Sequence, residues 1–134
     1  MKTHHASDPG GNIHQVHIGD LRVMLVPEDG TWFAQGMEID YAAQGATPDQ
    51  AKENFAKGLR LTVHEHLRTY GGIDKLLFAA PPEVWNEFMT GIAVKRLVFT
   101  QTTRHDLTEV AKELADRSFE FPYENIAYYE QKAA

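Results

Sequence analysis

The chain has 134 residues and a net charge of −6, with 43% apolar residues, 24% charged residues and no cysteine. Such a composition predicts one globular domain that buries roughly two-thirds of its unfolded surface. It excludes disulfides, thiolate nucleophiles, iron–sulfur clusters and the common structural zinc sites, and disfavours nonspecific nucleic-acid binding, whose affinity comes from Lys and Arg on phosphates.

Residues 1–12 are polar and dense in turn formers, Asp8-Pro9-Gly10-Gly11-Asn12 above all, and read as a mobile leader that lacks the apolar stretch of a signal peptide. No run approaches the roughly 20 apolar residues of a membrane span, so a soluble cytoplasmic protein is expected. Residues 13–134 read as a single domain. The apolar run 21–26 suits a strand with Leu21, Val23 and Leu25 on one face, and Pro27-Glu28-Asp29-Gly30 ends it with the Asp-Gly pair that favours a tight hairpin turn. Trp32, Phe33 and Ala34 give bulk to a second strand, broken at Gly36, and residues 41–44 return as a third.

Thr47, Pro48 and Asp49 form a helix start: a capping hydroxyl, a proline at the first helical position and an acid at the positive end of the dipole. Ala51, Phe55, Leu59, Val63 and Leu67 then make a stripe that can lie on the sheet, with Gly58 permitting close packing and the helix stopping before Gly71-Gly72. Beyond it the pattern predicts a short helix over 73–79 and another from Pro81-Pro82 to about Gly91. A fourth strand over 94–100 and a last helix capped by Asp106, with Glu109 at the capping-box spacing, complete the reading. The fold class is α+β, a three-stranded antiparallel meander plus a packed helix, with a fourth strand and C-terminal helices.

Glu28-Asp29-Gly30, Trp32-Phe33-Ala34, Gln44-Gly45-Ala46-Thr47, and Ala51 with Glu53, Asn54 and Leu59 follow in the order seen in HicB-like antitoxins, which residues 21–67 resemble. The resemblance implies a partial ribonuclease H-like or double-stranded RNA-binding-like fold. It also implies a non-catalytic binding module without cofactor, which covers a small basic HicA-like toxin ribonuclease and commonly forms a homo-oligomer. Two features depart from the family pattern. Met37-Glu38-Ile39-Asp40 stands where a Pro-Gly turn is usual, and residues 73–134 carry no helix-turn-helix, ribbon-helix-helix or basic recognition helix, so DNA repression is not expected.

Partner contacts are expected at Trp32 and at the acids Glu28, Asp29, Glu38 and Asp40, with an edge strand over 94–100 as a route to self-association. An alternative is a metal-dependent nuclease using Glu28, Glu38 or Asp40, which requires carboxylates converging on hard cations; another is an oligomeric scaffold without a toxin. The seven histidines do not have metal-ligand spacing. His64 and His66 point about 200° apart on a helix, and His14 and His17 fall on opposite faces of a strand. Ser7 and Ser118, the only serines, lie in no activating context.

Overall fold

A computed structural model describes residues 1–91, 95–108 and the main chain of 125–130. Among the described residues six antiparallel strands form one sheet: β1 (Lys2–Ser7), β2 (Ile13–Glu28), β3 (Thr31–Gly36), β4 (Ala42–Gly45), β5 (Lys95–Asp106) and β6 (Asn125–Glu130). The spatial order is β4-β3-β2-β5-β6, with β1 also paired to β2. Helices α1 (Pro48–Tyr70) and α2 (Pro82–Thr90) complete the α+β fold.

The meander β2-β3-β4 and its helix take the places their sequence predicts. Asp29, at φ 52°, and Gly30, at φ 79°, form the β2–β3 turn, a conformation their short or absent side chains tolerate. Thr47 accepts from the Gln50 amide at 3.0 Å, Pro48 opens the helix, and Gly71 closes it at φ 77° with its N–H on the Leu67 carbonyl. The stripe Ala51, Phe55, Leu59, Val63 and Leu67 is buried against Val16, Ile18, Leu21, Val23, Leu25, Leu97 and Phe99 of the sheet.

Two glycines set the distance between helix and sheet. A Cβ on Gly45 would stand 2.5 Å from the Ala51 nitrogen and 2.7 Å from the Gln50 carbonyl carbon, both main chain and unable to yield. One on Gly58 would overlap the Tyr41 hydroxyl, which meets α1 there; burial pushes the Tyr41 phenol up to about 12. Gly45→Ala should therefore cost about 2 kcal/mol by forcing β4 away from α1, read as a lower urea midpoint at unchanged slope.

The structure corrects several expectations. Residues 1–12 are not a mobile leader throughout, because Lys2–Ser7 pair with β2 from Gly19 to His14. All six β1 residues are exposed, so the strand is held by main-chain bonds and carries none of the apolar alternation that reveals a strand in a sequence. β2 runs for 16 residues rather than six, because Gly19-Asp20 does not end it but forms a β-bulge. There Thr100 faces two residues, Asp20 has φ 55°, and the inward positions change from Val16 and Ile18 to Leu21, Val23 and Leu25.

The predicted fourth strand exists as β5, but it is not an edge: it lies between β2 and β6. The helix expected over 73–79 shrinks to one 3-10 turn, Asp74–Leu76, since Pro81-Pro82 follow too soon for a longer helix. The last helix, predicted from Asp106 and Glu109 onward, lies outside the described residues. Asp106 itself ends β5, its carboxylate accepting from the Thr108 amide and hydroxyl, which hold it below the usual carboxylate range.

After the 3-10 turn the chain crosses to the other face of the sheet. Ile73 and Leu76 remain in the main core, Ala80 donates its N–H to Met37, and α2 brings Phe88, Val84 and Trp85 onto Met24, Met37 and Val26. α1 and α2 thus lie on opposite faces of the sheet. Among the described residues no helix is long and apolar enough to cross a membrane.

Candidate functional site

Because successive strand residues point to opposite faces, adjacent Trp32 and Phe33 part company. Trp32 is half-buried and packs on the main core with Ala34 and Leu25 on the α1 side. Phe33, paired with Val26, lies on the α2 side, where a groove of about 200 Å³ opens between the β2–β3 hairpin and α2. Met24, Val26, Phe33 and Val84 supply its apolar wall, with Glu28, Gln35 and Glu87 as its polar lining. A second hollow of about 320 Å³ is lined by the same Phe33 together with Ala42, Ala43 and Gln44. Phe33 therefore separates two concavities.

Among the described residues no cation lines this groove. The nearby arginines are engaged with rings, Arg22 4.8 Å above Trp85 and Arg96 5.9 Å from Phe88. The groove thus pairs an aromatic anchor with carboxylates in an acidic chain. That arrangement can seat an apolar side chain flanked by Lys or Arg.

Of the acids singled out in the sequence, Glu28 lines the groove and Asp29 is exposed in the adjoining turn. Glu38 is elsewhere and structurally committed: its carboxylate accepts from the Arg22 amide at 2.8 Å and from Arg22 Nε at 3.1 Å, with the Met1 amino group at 3.5 Å. Together with Met37, whose N–H bonds the Arg22 carbonyl, it fills the stretch of the β2 edge between β1 and β3. Asp40 is exposed, its main-chain N–H on the Leu76 carbonyl. Glu28, Glu38 and Asp40 are not brought together, and the described residues contain no group of three or more His, Cys, Asp or Glu able to hold a metal ion.

Phe33 was visible in the sequence as the opposite-face neighbour of Trp32. Val84 and Glu87 gave no comparable signal, since only the chain crossing after residue 76 brings α2 to this face.

A second cluster lies at the far end of the sheet, on the α1 side. His14 of β2 stands in register with His105 of β5, and His105 Nδ1 is 3.2 Å from His64 Nδ1 of α1. His64 and His105 are fully buried and Arg60, one turn before His64, is 2% exposed. His105 Nε2 also meets the Thr103 hydroxyl at 2.6 Å, while Gln101 donates to the Ala56 carbonyl. Burial, with His64, Arg60, His14 and His5 adding repulsion, lowers the His105 imidazole to about 3, so it is neutral at ordinary pH.

The chain matches no family model and is similar to no curated protein or solved structure.

Proposed function

We propose that this protein is a non-catalytic, HicB-like binding module that covers a small basic protein, such as a toxin ribonuclease of the HicA type, in the cytoplasm. The observation that carries this reading is the groove at Phe33, apolar at its wall and acidic at Glu28 and Glu87, on a chain of net charge −6. An apolar anchor supplies affinity, and the surrounding carboxylates steer a cationic partner and reject acidic ones. The order of motifs over residues 21–67 adds support. Self-association belongs to the same reading; with β5 inside the sheet, the described strands left with an open edge are β1, β4 and β6.

The partner to test is a small basic product encoded beside this gene. Calorimetric titration should show binding that weakens with salt, and the double variant Glu28→Lys, Glu87→Lys should weaken it by tenfold or more. Phe33→Ala should do the same at low and high salt alike. No binding to, or inhibition of, such a product removes the proposal, as does full affinity in both variants.

A further inference from the structure

β1 is an unusual strand, because none of its six side chains is buried and its attachment is almost wholly main chain. A side-chain contact also ties it to β2. His5 and His14 stack with ring centroids 5.0 Å apart, and His5 Nε2 lies 2.7 Å from His14 Nδ1. The other nitrogen of His14, Nε2, lies 3.0 Å from the Gly11 carbonyl.

These distances dictate where the protons are. A carbonyl oxygen only accepts, so His14 Nε2 carries a proton and His14 Nδ1, in the neutral ring, must accept. His5 Nε2 is therefore the donor of the 2.7 Å bond. A first added proton can sit on His5 Nδ1 and leave this bond whole. A second has only His14 Nδ1 to occupy, which breaks the bond and sets two imidazolium rings face to face.

The surroundings do not compensate that charge. His105 of β5 faces His14 across the strands, and His64 and Arg60 of α1 stand behind His105. His4 adjoins on β1 itself, and among the described residues Asp74 of the 3-10 turn is the one carboxylate that favours a charged His5. Desolvation and the His14 ring outweigh it, so His5 is held below its ordinary value.

We propose that β1 is an acid-released latch: protonation of the stacked His5–His14 pair detaches β1 from β2 and bares the β2 edge from His14 to Gly19, while the α1-packed core stays folded. The bared edge would present unpaired main-chain donors and acceptors, flanked on the core side by Val16 and Ile18. Segments held by exposed bonds and no buried surface open before the rest of a fold, and imidazole is the side chain whose charge changes on mild acidification.

Amide hydrogen exchange on the full chain at pH 7.5 and 5.5, corrected for the intrinsic pH dependence of exchange, tests this. Protection of the β1 amides should fall at least about tenfold further than that of the α1 amides, which report the stability of the whole fold. His5→Gln, which keeps a donor in place of Nε2 and cannot charge, should shrink this excess β1 loss to under about threefold; His4→Gln, on the opposite face, should leave it as in the parent. Should His5→Gln leave β1 open at both pH values, His14→Asn, whose Oδ1 replaces the accepting Nδ1, decides by the same comparison. Unchanged β1 protection in the parent overturns the latch. So does an equal loss in α1, a full pH response in the uncharged variants, or a response abolished by His4→Gln.

Discussion

Phe55→Ala should remove about 3–5 kcal/mol of stability, the range for deleting a large ring from a packed core, and lower the thermal midpoint by roughly 10–20 °C. Phe55 is completely buried at the centre of the α1 stripe. Its ring centroid lies 5.1 Å from that of Tyr41 at 61° and 5.3 Å from that of Phe99 at 89°. It therefore contributes two edge-to-face contacts in addition to its burial. The neighbours cannot close over the loss: Tyr41 abuts Gly58, and Phe99 is fixed in β5 between two strands. Urea denaturation at pH 7.5 reads the difference. Phe33→Ala, at the half-buried groove position, should cost less than half as much; an equal cost would mean that the Phe33 ring is core rather than an accessible anchor.

Acid should destabilise the whole fold well before its carboxylates titrate. In the unfolded chain His105 has an ordinary imidazole near 6.5, whereas in the fold it is lowered to about 3. Between these values the unfolded state binds a proton that the folded state refuses, so stability rises with pH across that window. It is fully present above about 6.5 and falls as the pH drops below it. From pH 7.5 to 4.5 this one group should cost about 3 kcal/mol, at 1.36 kcal/mol for each unit below the unfolded value. His105→Gln should lose most of this dependence while keeping an amide near the Thr103 hydroxyl. Its stability at pH 4.5 should then approach that of the parent at the same pH, despite a lower value at pH 7.5. Equal pH slopes in parent and variant would place the acid sensitivity elsewhere. The β1 latch is separable from this effect, because at pH 5.5 it costs the β1 amides protection beyond the roughly tenfold that α1 loses with the whole fold.

Both effects trace to the same design: one face of a long sheet is packed by α1, apolar over most of its length and polar at the His64–His105 end. A histidine pair sharing one proton between two Nδ1 atoms is satisfied only while neutral or singly charged. The groove side uses different contacts, with Arg22 laid over Trp85 and Arg96 near Phe88 beside a groove lined by Glu28 and Glu87.

Local chemistry made some elements legible in the sequence. The Asp29-Gly30 turn, the Thr47-Pro48 start of α1, the four-residue spacing of its stripe and the helix after Pro81 each depend on residues within a few positions of one another. Backbone sterics, capping and periodicity act at that range, and the structure has all of them. The pattern of apolar runs and turn formers likewise indicated the α+β class, and the alternation rule separates Trp32 from Phe33.

Tertiary structure decided the rest. β1 has no sequence signature because neither of its faces is buried, and only the neighbouring β2 edge makes a strand of it. Whether Gly19-Asp20 ended a strand or bulged it depended on Thr100, some eighty residues away. Glu38, read as a free acid, is bound because the unpaired Arg22 amide on β2 lies within its reach. The His5–His14–His105–His64 seam joins four elements, and the groove needs α2 on the face opposite α1. Such convergences depend on contacts distant in sequence, and no local spacing of residue types encodes them.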